Sequence, residues 1–245
     1  AHFPALKLIL VCGAGVDSIL GTAALPPRVL LARIVDPVLQ DHVSDYIVMA
    51  ILNHSRHWNH YMQLQREKSW IWMKRFQAKP KIGLMGLGYM GGRAAHKLQA
   101  LGYEVCGWVR GSTNNSQSVL ETYRGRAELF QFAQQCGVIV CVLPLTGETA
   151  GILNLDLFNQ LPHGTYLINV GRGGHLNEPD LIHALGTGQL SGACLDTFET
   201  EPLPEDHPFW THPDIIVTPH IAGILHPSSQ ATQAAKMVDD FYRDG

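Results

Sequence analysis

The sequence predicts an α/β protein built on a doubly wound parallel sheet, and three observations lead there. From Ile82 onward, short apolar runs alternate with helical segments. The runs are apolar on both faces, as strands buried between two helix layers must be. The first of them is followed by a glycine-spaced turn, "GLGYMG", that opens a helical segment. The strand candidates are "IGLM" (82–85), "YEVCGWV" (103–109), "VIVCVL" (138–143), "TYLINV" (165–170), "SGACLDTF" (191–198) and "DIIVTP" (214–219). Helical periodicity covers 90–101, 126–135, 152–160 and 178–185 between them.

The N-terminal third reads differently. Two apolar runs, "LKLILV" (6–11) and "VLLARIV" (29–35), flank "GAGVD" and "LPP", too few strands for a stable domain of their own. From Asp36 to about Gln65 apolar residues recur at helical spacing, and "AKPK" (78–81) breaks the pattern.

Composition narrows the class. A chain of 245 residues with 46% hydrophobic and 16% charged residues reads as an ordinary soluble protein of one large or two small domains. Its net charge of −3, without a basic run, argues against a nucleic-acid or anionic-membrane partner, and no long uncharged apolar span suggests a membrane. Five cysteines without a C-x-x-C pair read as reduced core thiols in a cytoplasmic protein. The opening "AHFPALKLILV" contains no signal-peptide pattern.

The turn after "KIGLM" carries Gly86, Gly88 and Gly91, with Tyr89 and Met90 at the helix start. Such spacing between strand and helix suits a dinucleotide pyrophosphate, because glycine permits close backbone approach at the positive end of a helix. The next strand should end in the residue that reads the adenosine ribose. An NAD site places Asp or Glu there. This chain offers Arg110, Ser112 and Thr113 in "CGWVRGST", a guanidinium and two hydroxyls suited to a phosphate, which favours NADPH over NADH. The competing reading is a solvated strand-end arginine.

Three later strand ends each supply one polar group: Arg172 in "INVGRGG", Glu201 in "LDTFETEPLP" and His220 in "VTPHIAG". Together they fit hydride transfer to a 2-keto acid. Arg172 would pair with the substrate carboxylate and polarise the keto oxygen. His220 would donate a proton to that oxygen, and Glu201 would hold the far ring nitrogen.

With these motifs in this order, the chain resembles the D-2-hydroxyacid dehydrogenase family, in particular its glyoxylate/hydroxypyruvate reductase branch. The matching segments are "GAGVD", "GLGYMG", "GWVRGST", "VCVLPLTGETAGILN", "LINVGRGGHLNEPDLIHAL", "LDTFETEPLPEDHPFW" and "VTPHIA", almost from end to end. The resemblance implies Arg172, Glu201 and His220 as the catalytic set, and backbone amides near Ala14 and Gly15 as holders of the substrate carboxylate. It places Leu143, Pro144, Val170, Gly171, Asp196 and His220 along the cofactor; a strand-end turn cap is the other reading of Asp196. It implies a Rossmann cofactor domain over 38–222 and a partial, flavodoxin-like substrate domain from 1–37 and 223–245. Against the family pattern, the segment before "LKLI" is missing, and Leu225 and His226 stand where relatives tend to carry Thr-Arg.

Two functions stay open: an NADPH-preferring reductase of a small 2-keto acid, with NAD as the alternative cofactor and with its substrate and a second copy in a homodimer as expected partners; and a dinucleotide-binding regulatory or scaffold module without turnover. His54, His57 and His60 step by about 300° around a helix, which does not make a metal site. Trp58, Trp70 and Trp72 with Tyr61 read as core or dimer contacts, and the Lys and Arg residues of 64–81 as a solvated helix end and linker.

Overall fold

The computed structural model describes residues 3, 5–13, 15, 19, 26, 28–72, 78–111, 120–224 and 227–244. Ala14, Ser112, Thr113, Leu225 and His226 lie outside them. The chain divides into two compact units, Ala1–His42 with Gly223–Gly245, and Val43–Ala222.

In the first unit β1 (Leu8–Val11) pairs in parallel with β2 (Leu30–Arg33). Helix α1 (Pro37–Ser55) begins under Asp36, whose Oδ1 accepts from Val38 N at 2.9 Å and from Ser229 Oγ at 2.9 Å. Ser229 belongs to a C-terminal helix, Pro227–Asp244, which lacks any counterpart among the sequence expectations.

The expected single helix from Asp36 to Gln65 is two. After α1 the chain turns at His57, which adopts a left-handed φ of 52°, and α2 (Trp58–Arg66) follows. Of the two readings of the tryptophans, core or dimer contacts, the core reading fails: Trp58 and Trp72 are exposed and Trp70 fully so. His54 does pack, its ring stacked 3.9 Å from that of Tyr166.

The second unit is a seven-stranded sheet: β3 (Ile82–Met85), β4 (Val105–Val109), β5 (Glu121–Arg124), β6 (Val138–Cys141), β7 (Thr165–Asn169), β8 (Leu190–Leu195) and β9 (Ile215–Val217). Their spatial order is β5-β4-β3-β6-β7-β8-β9, and every pairing is parallel. The chain leaves β3 in one direction, then returns to β6 on its other side. Ligands of such sheets bind at that reversal, beyond the carboxyl ends. Between the strands run α3 (Tyr89–Ala100), α4 (Gly125–Ala133), a single turn α5 (Leu155–Phe158) and α6 (Glu178–Gly186).

The central strands are entirely buried, as runs without polar alternation require. Strand β5 escaped the sequence reading because "ETYR" is an edge strand with only its middle residues half-buried. The helix expected over 152–160 shrinks to one turn because Leu153 bridges to Leu176 and Asn154 caps Leu157 N at 3.1 Å.

Two charge and thiol expectations also change. Lys81 is largely buried and pairs with Glu104 at 3.0 Å and Glu121 at 2.6 Å, tying the start of β3 to β5. Burial alone would lower its pKa, but the hydrogen bonds to Glu121 and Glu104 raise it. Four cysteines are buried thiols, whereas Cys12 is exposed. Among the described residues no helix is long and apolar enough to cross a membrane, and no group of three or more His, Cys, Asp or Glu could hold a metal.

Phe132 fills the space under Gly83, where an added Cβ would lie 2.8 Å from its ring. Phe132→Ala is expected to lower the unfolding free energy of this unit by about 3–5 kcal/mol in urea denaturation; a loss below about 1 kcal/mol would contradict such packing.

Candidate active site

The dinucleotide turn follows from backbone constraints. Gly86 ends β3 with φ 107°, accessible to glycine, and donates its N–H to Trp108 O at 2.8 Å. Gly88 precedes α3, and Tyr89 and Met90 form its first turn. A Cβ on Gly91 would sit 1.9 Å from Gly86 O, so only glycine lets the helix start this close to the strand. The first N–H groups of α3 therefore face the carboxyl edge of the sheet without intrahelical partners.

Across the reversal, Val142 N donates to Met85 O at 3.0 Å and carries the chain to Leu143, buried, and Pro144, exposed. Gly171 is packed so closely that its Cβ would lie 3.2 Å from Leu143 O. Val170 N is held by Cys141 O at 3.1 Å. The structure thus brings Leu143, Val170 and Gly171 together beside the glycine turn. The loop is braced by Thr149, whose hydroxyl accepts from Thr146 N at 2.9 Å and donates to Pro144 O at 2.8 Å.

Arg110 stands at the end of β4. Its Nε pairs with Glu148 Oε2 at 3.0 Å and its Nη1 donates to Thr146 Oγ1 at 3.2 Å. A cavity of about 530 Å³ opens beside this pair, over Trp108, Phe130 and Leu157.

The loops after β7, β8 and β9 form the other end. Asn169, fully buried, accepts from Gly171 N at 3.1 Å and donates to Arg172 O at 3.0 Å, shaping the arginine's turn. Arg172 Nη1 donates to Gly171 O at 2.7 Å, and Arg172 N donates to His175 Nδ1 at 3.0 Å. Gly173 lets this loop dock against the next one, since a Cβ there would lie 1.8 Å from Phe198 C.

Glu201 and His220 meet directly, with Nδ1 and Oε2 2.8 Å apart. The other Glu201 oxygen accepts from Phe198 N at 3.0 Å. Burial alone would raise the Glu201 carboxyl. The bonds from His220 and Phe198, with the positive charges of His220 and Arg172, outweigh it and hold the carboxyl below its ordinary range. A carboxylate at Nδ1 keeps the proton on that nitrogen and fixes the ring's orientation. His220 itself has a φ of 53°, a left-handed conformation that is costly for a side chain with a Cβ.

Asp196 keeps that turn in place. It is fully buried; Oδ1 accepts from Thr218 Oγ1 at 2.6 Å and Ile221 N at 2.8 Å, and Oδ2 accepts from Ala222 N at 2.8 Å. Its backbone oxygen accepts from His220 N at 2.9 Å. The hydrogen bonds found are those of a strand-end turn cap. Tyr46, on α1, extends the network to Thr218 Oγ1 at 2.5 Å. Burial raises the Tyr46 phenol, first of several causes, so the group stays neutral. Sequence reasoning missed Tyr46, Thr149, Asn169, His175 and Thr218. Thr149, Asn169, His175 and Thr218 lie inside motifs that the sequence shows, but their roles are contacts made by side chains that the motifs do not single out; Tyr46 lies outside all of them.

A second cavity, about 400 Å³, lies beside Glu201 and His220 with Phe198, Leu203, Trp210 and Pro219 as apolar walls. Gly15 belongs to the first unit, where it is half-buried.

The depressed Glu201 carboxyl sets a sign. Its contribution to stability is present above the ordinary value of 4.5 and lost as pH falls through the lower folded value. In thermal melts from about pH 6 to about pH 3, the parent chain should lose stability relative to Glu201→Gln below that point. Parallel pH curves for the two would contradict the assignment.

Comparison with known proteins agrees with this architecture. Residues 48–222 match the family model described as D-isomer specific 2-hydroxyacid dehydrogenase, NAD binding domain. Glyoxylate/hydroxypyruvate reductase A of Salmonella paratyphi C is 38% identical over 229 residues, covering 91% of this chain and 73% of that protein. The D-isomer specific 2-hydroxyacid dehydrogenase of Xanthobacter autotrophicus Py2, solved with NADPH and MES, superposes with a TM-score of 0.91 at 34% identity, over 99% of this chain and 77% of that one. The NADPH-dependent glyoxylate/hydroxypyruvate reductase of Sinorhizobium meliloti, solved with NADP and sulfate, superposes with a TM-score of 0.89 at 36% identity, over 98% of this chain and 77% of that one. The chain belongs to the D-isomer specific 2-hydroxyacid dehydrogenase family.

Proposed function

We propose that the chain is an NADPH-preferring reductase of glyoxylate, hydroxypyruvate or a similar small 2-keto acid. The observation that carries this reading is the 2.8 Å contact between His220 and Glu201, set on the loop neighbouring that of Arg172. The relatives solved with NADPH and NADP support the cofactor. The site's own chemistry fits it: a Cβ on Gly91 would strike Gly86 O at 1.9 Å, Gly88 meets no atom within 4 Å and so leaves its backbone open to a pyrophosphate, and Arg110 stands where the ribose phosphate would need a cation.

The cofactor, when bound, supplies the hydride. The chain's residues do the rest. Arg172 pairs with the substrate carboxylate and polarises the keto oxygen. His220 donates a proton from Nε2 to that oxygen, and Glu201 at Nδ1 stabilises the protonated ring and holds its orientation. Gly86, Gly88, Tyr89, Met90 and Gly91 would offer backbone to the pyrophosphate, and Arg110, Ser112 and Thr113 would take the ribose phosphate. Leu143, Pro144, Val170 and Gly171 would line the cofactor, and Asp196 would serve its nicotinamide end through the turn it holds.

Ala14 and Gly15 would offer backbone amides to the substrate carboxylate, and we read the N-terminal unit with Gly223–Gly245 as the substrate domain. Exposed apolar side chains on α1 and beyond, including Met49, Leu52, Trp58 and Trp70, support a homodimer. The buried free thiols fit the reducing cytoplasm.

NADPH oxidation, followed by absorbance with glyoxylate or hydroxypyruvate, tests the reading. Turnover should be faster with NADPH than with NADH. His220→Gln should lower kcat on the order of 10²–10⁴-fold. Arg172→Ala should raise KM and lower kcat together. Near-parental turnover in both variants would overturn the catalytic assignment. NADPH binding without turnover in the parent chain would favour a regulatory or scaffold module.

A further inference from the structure

We propose that Glu148 sets the cofactor preference by opposing Arg110, so that the chain discriminates between NADPH and NADH less than its arginine alone would. The inference rests on the NADPH reading above and concerns the same ribose site.

Arg110 is engaged on two sides by one loop. Its Nε pairs with Glu148 at 3.0 Å and its Nη1 donates to Thr146 at 3.2 Å. The loop is not free to withdraw Glu148 at no cost, because Thr149, 1% exposed, clamps Thr146 N and Pro144 O through its hydroxyl. Leu143 and Pro144, on the cofactor's path, thus belong to the same braced segment as the carboxylate.

The charges around the adjoining cavity balance. Arg110 and Arg126 face Glu148 and Asp156, two cations against two anions. Arg126 lies in the first turn of α4, where the helix adds positive potential. A 2′-phosphate arriving at Arg110 meets a carboxylate already on the guanidinium, and like charge opposes its approach. A 2′-hydroxyl meets the same carboxylate as a hydrogen-bond acceptor, the role that a strand-end Asp or Glu plays in NAD sites. This chain has no such residue after β4; Glu148 reaches the position from the loop after β6. One residue therefore weakens the phosphorylated cofactor and assists the other. The pair is exposed on both sides, at 51% and 72%, so its release costs little and the effect is several-fold rather than absolute.

The test is equilibrium titration of the parent chain, Glu148→Gln and Arg110→Gln with NADPH and NADH, followed by nicotinamide fluorescence. The ratio of the NADH to the NADPH dissociation constant should rise about fivefold in Glu148→Gln, and the increase should shrink at high salt. In Arg110→Gln, where Glu148 is left unopposed, the ratio should fall below one. A ratio unchanged or lowered in Glu148→Gln, with the parent still binding NADPH more tightly, overturns the role of Glu148 and leaves the NADPH reading intact. A parent that binds NADH as tightly as NADPH, with the ratio rising in Glu148→Gln, supports the role of Glu148 while overturning the NADPH preference. No binding of either cofactor to the parent overturns both.

Discussion

The site depends on one geometric constraint: all seven strands of the larger unit run parallel. In such a sheet every strand ends at the same edge, so the residues that follow the strands gather there though far apart in sequence. Gly86, Arg110, Leu143, Arg172, Asp196 and His220 each follow a different strand, and each lies within a few residues of its end. A single antiparallel strand among them would send its residue to the opposite edge. The burial that enforces the parallel arrangement is visible in β3, β6 and β7, which have no residue facing water. Fold and site are therefore consequences of the same hydrophobic pattern.

Within that frame, polar side chains convert position into orientation. Asp196 spends its carboxylate on Thr218, Ile221 N and Ala222 N, and so keeps His220 in a backbone conformation that it would not adopt alone. Asn169 does the equivalent for Arg172, and Thr149 for the loop bearing Pro144 and Glu148. None of these three touches a substrate in the proposed mechanism; Asp196 and Asn169 fix residues that do, and Thr149 fixes the loop along the cofactor's path. Buried polar groups with satisfied partners rigidify in this way because leaving any of them unpaired is costly.

The sequence showed what depends on local chemistry. Central strands were legible from apolar runs, the glycine turn from its spacing, and the strand-end placement of Arg172, Glu201 and His220 from the runs before them. The boundaries and edges were harder. "ETYR" lacks an apolar run because an edge strand has one neighbour and little to bury. The break at His57 leaves the periodic pattern intact on either side and depends on a left-handed residue that no composition announces. Lys81 looked like linker charge because Glu104 and Glu121, which neutralise it, come from two later segments. Tyr46 and Thr218 lie 172 positions apart, so their contact had no sequence signature at all. Glu148 sat in a quoted motif but acquired meaning only beside Arg110.

In the proposed reaction, NADPH bound at this edge of the sheet transfers a hydride to the keto carbon of a 2-keto acid. The most direct measurement is to supply NADPH deuterated at the transferring face of its nicotinamide, with glyoxylate as substrate, and to follow the product by NMR. The account predicts deuterium bonded to the carbon that carried the keto oxygen, with the hydroxyl proton coming from solvent. Product without deuterium on that carbon, or no product while NADPH binds, would contradict it.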